Sequence, residues 1–184
     1  MNIWGHFKTI THHRHLVMAH CRKCGIGWQG LRHDLSKYSP AEFIPGCRYF
    51  TGKRSPNEGE RREKGYSEAW MHHKGRNKHH FEYWNDVSPA THRYEPVKMP
   101  YNYLAEMVCD RIAASKTYKG KDYTDASALE YFLGGHGREQ MNAETARELE
   151  RLLTMLRDKG EKETFAHVRA QLREKRKNKN LSEY

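Results

Sequence analysis

The sequence predicts an all-α fold: one helical domain over residues 1–172 and a basic, disordered tail over residues 173–184. Three observations carry this expectation. Apolar side chains recur at three- and four-residue intervals in one segment after another, which is the spacing of a single helical face. No run of alternating β-branched residues marks a half-buried strand. Serine, asparagine, proline and glycine stand where such helices would begin and end.

In chain order, Ile3, Phe7, Ile10, Val17, Cys21 and Cys24 define the inward stripe of a long first helix, Asn2 to Cys24, stopped by Gly25 and Gly27. His13 falls inside this stripe and His6 and His20 lie near it, whereas His12 and His15 point to solvent. Trp28, Leu31 and Leu35 suggest a second helix carrying LRHDLSKYS. Ser39-Pro40-Ala41-Glu42 opens a third, with a serine cap, proline at the first helical position and glutamate at the third. TGKRSPNEGERREKG then reads as a mobile polar loop that could act as a lid. Tyr66, Ala69, Trp70 and His73 return to helical spacing until Gly75, and His79, His80, Tyr83 and Trp84 start another turn. Asp86 to Met99 reads as a connection. Pro100 opens a strong helix, Tyr101 to about Tyr118, whose inward side carries Tyr103, Met107, Asp110 and Ala114. A short helix reaches Phe132. Another, capped by Asn142 and ended by Gly160, turns Ala146, Leu149, Leu153 and Leu156 inward, and Phe165, Val168 and Leu172 mark the last.

Composition narrows the function. A net charge of +10 favours anionic partners, either phosphorylated metabolites or nucleic acid. No segment approaches the roughly eighteen consecutive apolar residues of a membrane span, and MNIWGHFKTITHHRH lacks the apolar core of a signal peptide. Four cysteines are too scattered for a disulfide framework, so a cytoplasmic protein with reduced thiols is expected. Cys21-Arg-Lys-Cys24 matches half of a zinc site, but no second pair follows, and both thiols lie on the buried stripe.

Histidine is the outlier, with 13 residues. The ionisable residues on inward faces are His13, His33 or Asp34, His73, one or both of His79 and His80, and Asp110. A lone inward histidine is ordinarily a hydrogen-bonded core residue. Several in one chain would each need a separate buried partner, whereas one shared cation satisfies them all. Arg76 and Lys78, between the paired histidines, are candidates to clamp a phosphate without touching the metal. Glu106, one turn before Asp110, is either an acceptor that fixes a histidine tautomer or plain helix surface.

HDLSK, preceded by a helical histidine and followed by further histidines and a helical aspartate, resembles the HD-domain superfamily of metal-dependent hydrolases. More closely, GLRHDLSKYSP, HHKGRNKHHFEYW and MPYNYLAEMVCD are similar to a bacterial and phage family labelled only as a domain of unknown function, over roughly Lys8 to Tyr131. The superfamily resemblance implies that His13, His33, Asp34 and Asp110 hold one metal ion. It implies too that Asp34 can bridge to a second ion completed by His73 (or its neighbour His72), His79 and His80. The His79-His80 pair resembles that of the HD-GYP branch, but the Gly-Tyr-Pro element of that branch is missing. Lys37 corresponds to a lysine that contacts phosphate.

The expected activity is metal-dependent hydrolysis of a nucleotide or another small phosphate ester. Asp34 and Lys37 would be catalytic, and Lys37, Arg76 and Lys78 would hold the phosphate. The cofactor would be one or two divalent transition-metal ions, iron or manganese first, then zinc, nickel or cobalt. A di-iron oxygenase on the same ligands and a basic nucleic-acid binder are the alternatives.

Overall fold

In the computed structural model, which describes residues 1–181, helix α1 (Ile3–Cys24) starts where the Asn2 side chain accepts the Gly5 N–H at 2.8 Å. It ends at Gly25, whose φ of +81° is the left-handed cap that glycine adopts without steric cost. Ile10, Val17, Cys21 and Cys24 are buried on one face, interleaved with His6, His13 and His20. Ile3 and Phe7, expected on the same stripe, remain exposed. The reason is that the first turns of α1 dock sideways on the next helical layer, through Asn2 N–H to the Cys47 carbonyl at 2.9 Å.

Helix α2 (Gly27–Arg32) lies tight against α1: a Cβ on Gly30 would stand 2.5 Å from Cys21 Cβ. Trp28, Leu31 and Leu35, read as an inward set, are exposed. The helix is only six residues long, and the chain then turns so that His33 and Asp34 are buried in their place. Asp34 makes that turn with a φ of +53°, a left-handed conformation that aspartate tolerates better than most residues. A 3-10 turn over Leu35–Tyr38 leads into α3 (Pro40–Arg48), with proline in its first turn as the sequence predicts.

The expected mobile loop contains a helix, α4 (Pro56–Lys64). Proline again sits at its start, and Arg54–Glu58, Glu58–Arg62 and Glu60–Lys64 pair one turn apart. Such pairs are weak. The stronger anchor is Glu60, buried, which accepts the Ser67 hydroxyl at 2.7 Å and the Ala69 N–H at 3.3 Å. Periodicity cannot reveal a helix fixed by one tertiary carboxylate. Helix α5 (Glu68–Lys74) follows, capped by Ser67. The connection before the next helix holds a short antiparallel hairpin, β1 (Asn85–Val87) with β2 (Tyr94–Pro96), in the register Asn85↔Pro96 and Val87↔Tyr94.

Helix α6 (Tyr101–Lys119) is the central element, packed between α1 on one side and α8 (Ala143–Leu181) on the other. Leu104, Met107, Val108, Ile112 and Ala113 are buried around it. Helix α7 (Ser127–Leu133) closes one end through Leu129 and Phe132. Gly160, at φ 78° and ψ 175°, breaks α8 where the sequence predicts a stop, with Leu149, Leu152, Leu153 and Leu156 buried before it and Phe165, Val168 and Leu172 after it.

The disordered tail is corrected in part. The helix continues to Leu181, since the lysines, arginines and glutamate of this run add little cost to a helix already nucleated. Residues 182–184 lie outside the described residues. Among the described residues no helix is long and apolar enough to cross a membrane.

Candidate metal centre

Four separate pieces of the chain converge beside α6. His13 comes from the middle of α1, and His33 and Asp34 from the turn behind α2. His73 lies in the last turn of α5, His79 and His80 on the loop that follows, and Asp110 midway along α6. Two groups form. In one, His13, His33, Asp34 and Asp110 each offer a ligand atom, all within 4.8 Å of one another; in the other, Asp34, His73, His79 and His80 do the same. Asp34 belongs to both. Either group could hold a metal ion.

The distances are short: His13 Nε2 to Asp110 Oδ1 2.9 Å, His33 Nε2 to Asp34 Oδ2 3.2 Å and to Asp110 Oδ1 3.5 Å. On the other side, His73 Nε2 and His79 Nε2 lie 3.3 and 3.5 Å from Asp34 Oδ1, and His73 Nε2 lies 2.8 Å from His80 Nε2. Yet His13 Nε2, His33 Nε2, His79 Nε2 and Asp34 Oδ1 are buried with no hydrogen-bond partner, and Asp34 Oδ2 meets only the Lys37 ammonium at 2.7 Å among the cations of the described residues. Buried polar atoms are seldom left unpaired. Nitrogen and oxygen lone pairs facing one another fit a cation between them.

Protonation agrees with ligation. Burial raises a carboxyl pKa, but His33 and Lys37 outweigh it and hold Asp34 well below the usual carboxylate range, and His13 and His33 do the same for Asp110. Burial lowers His13 and His80, His80 further because His79 and His73 adjoin it. Burial also works against a charged His33, but Asp34, Asp110 and Glu106 together push its pKa well up.

A second ring of carboxylates sets the tautomers. His33 Nδ1–H donates to Glu106 Oε1 at 2.8 Å, and His79 Nδ1 lies 3.3 Å from the same oxygen. The Gln29 amide donates to the other oxygen of Glu106. Burial raises Glu106, but its bonds to His33 and His79 bring it down to about 2. Glu42 Oε2 accepts His73 Nδ1–H at 2.7 Å. With Nδ1 occupied, each ring turns Nε2 to the centre. His72 is excluded from both groups: its Nδ1 bonds the outer oxygen of Glu42 at 2.7 Å. Glu42 is missing from the sequence reading because its place in the first turn of a helix explains it without further need.

The Lys37 ammonium lies 2.7 Å from Asp34 Oδ2. The neighbouring carboxylates of Asp34 and Asp110 raise its pKa against the effect of burial. It lines a cavity of about 760 Å³ whose walls include His13, Asp110, Arg111, Tyr118 and Phe132. Arg76 and Lys78 do not line it. Arg76 is exposed and bonds back to the His72 carbonyl, and the Lys78 ammonium lies over the rings of Tyr83 and Tyr103. Beyond Gly75 the chain turns both cations outward while Asn77 points in, donating to Ser36 Oγ at 2.8 Å. The inward guanidinium is that of Arg111, which the sequence reading missed; its only signal was adjacency to Asp110.

Fold and cluster together define an all-α protein with a buried histidine–carboxylate centre able to take a cation. The chain belongs to DUF5662, a family of unknown function whose model matches residues 2–155. No curated protein and no solved structure matches it.

Proposed function

We propose that the protein is a metal-dependent phosphohydrolase of the HD type, acting on a nucleotide or another small phosphate ester with one or two divalent transition-metal ions. Iron or manganese suits the mixed imidazole–carboxylate set best, and zinc, nickel or cobalt is compatible with it. The observation that carries the proposal is the pair of four-ligand groups sharing Asp34 at the wall of a cavity that also holds the Lys37 ammonium.

His13, His33, Asp34 and Asp110 would hold one ion, and Asp34, His73, His79 and His80 the other. When bound, such ions supply a water of lowered pKa and positive charge against a phosphoryl oxygen. Glu42 and Glu106 keep the ligating rings in register. Lys37 brings a fixed charge to the cavity wall, where it would neutralise a phosphate oxygen. Four free, buried cysteines accord with residence in a reducing compartment such as the cytoplasm.

Protein purified without chelator should contain transition metal by elemental analysis and should turn over members of a phosphate-ester panel. Asp34→Asn keeps a side chain that tolerates the left-handed backbone but removes the shared charge; it should lose bound metal and turnover together. Full turnover in that variant would overturn the assignment. Iron with an oxygen-sensitive visible absorption, and no esterase activity, would favour the di-iron oxygenase. A nucleic-acid role would use Arg76, Lys78 and the C-terminal basic run, and leaves the inward cluster without purpose.

A further inference from the structure

We propose that Glu82 and Arg111 form a subsite that reads the hydrogen-bonding edge of the ligand's organic part, and that the chemical class it fits is a nucleobase. The proposal rests on the phosphate-ester assignment only for where the ligand's other end lies.

Both side chains line the cavity walled by His13, Lys37 and Asp110. Glu82 is two residues past His80 and Arg111 directly follows Asp110, so the subsite adjoins the ligand cluster. Glu82 Oε2 and Arg111 Nε are each buried without a hydrogen-bond partner. A carboxylate and a guanidinium in one cavity would be expected to close on each other. They do not: among the described residues neither takes part in any ion pair within 4.0 Å, not even Arg111 with its neighbour Asp110. Arg111 is instead set over the Phe132 ring, 5.4 Å from its centroid. Phe81 supplies a second aromatic wall, against the backbone of Gly137.

An occupant that satisfies both atoms must give a proton to Glu82 and accept one from Arg111. A second phosphate would satisfy Arg111 alone and be repelled by Glu82. A planar edge with a donor beside an acceptor satisfies both, and a planar ring can stack on the phenylalanines. Every nucleobase has such an edge. Ribose phosphate and aryl phosphates do not.

The test is calorimetric titration of the metal-loaded full chain with adenosine, guanosine, cytidine and uridine, which carry the base without the phosphate, and with ribose 5-phosphate. At least one nucleoside should bind, and Glu82→Gln and Arg111→Met should each weaken it by about tenfold or more, since a site built for polar groups discriminates strongly when one is lost. Glu82→Gln is isosteric and keeps the test open if Arg111→Met does not fold. No nucleoside binding, or binding unchanged in Glu82→Gln, overturns the proposal. Nucleoside binding without turnover of any ester would sink the hydrolase assignment and leave the subsite standing. Equal kcat/KM for nucleotides and ribose 5-phosphate would do the reverse.

Discussion

Glu106→Leu should weaken both metal sites at once, although Glu106 need not touch either ion. Its Oε1 takes the Nδ1–H of His33 at 2.8 Å and faces that of His79 at 3.3 Å, and these rings belong to different ligand groups. Leucine fills the space but accepts neither proton, so both rings lose the bond that holds Nε2 toward the centre. Loss of such an orienting partner typically costs about 10–100-fold in metal affinity, or about 1.4–2.8 kcal/mol per site. Glu42 orients only His73 among the ligands, so Glu42→Leu should weaken one site and spare the other. Manganese titration of chelator-stripped protein, followed by calorimetry, resolves the two affinities, with circular dichroism to confirm the fold. Glu106→Gln, which keeps one acceptor oxygen, should fall between wild type and leucine. Wild-type affinity at both sites in Glu106→Leu, or loss at only one, would refute the assignment of Glu106 as the shared orienting group.

Two further outcomes follow from the same geometry. Stripping the metal should lower the melting temperature, because a ligand present at a hundred times its Kd stabilises the folded state by about 2.7 kcal/mol. At about 2–4 °C per kcal/mol for a chain of this size, that is roughly 5–11 °C per ion, reversed by adding manganese; an unchanged melting curve would count against a structural cation. Stability should also fall in mild acid, because burial, aided by Lys37, pushes His6 down to about 4 from 6.5, and burial likewise lowers His20. The unfolded chain takes up these protons as pH drops through 6.5 and the folded chain resists until 4, so the contribution is whole above 6.5 and lost between those values. For His6 it amounts to at most about 3 kcal/mol, less what solvent in the cavity screens. Urea unfolding at pH 7 and 4.5 measures it, and equal stabilities would contradict the buried, uncharged state.

Periodicity found what depends on one helix alone. His13 between Ile10 and Val17, and Asp110 on the strong helix after Pro100, were legible because an α-helix repeats its face. The break at Gly160 was legible for the same reason. Features set by contacts across the chain were not. His33 or Asp34 is expected on an inward face, but the left-handed backbone at Asp34 that turns both inward has no signal in HDLSK. Helix α4 was hidden because its anchor, Glu60, bonds groups beyond its own end. Arg76 and Lys78 had the right charge in the right neighbourhood, but the turn sends both outward, while Asn77, His79 and His80 face in. Arg111 shows the converse: α6 is buried around so much of its girth that one face could not identify it.

The ligands of the first group are spread from α1 to α6, and no short piece of chain contains more than the adjacent pair His33 and Asp34. A nascent polypeptide therefore cannot grip an ion there until α6 has cleared the ribosome and docked between its neighbours. Metallation there would follow the packing of α6, and an ion would act as a clasp that only a finished protein could fasten.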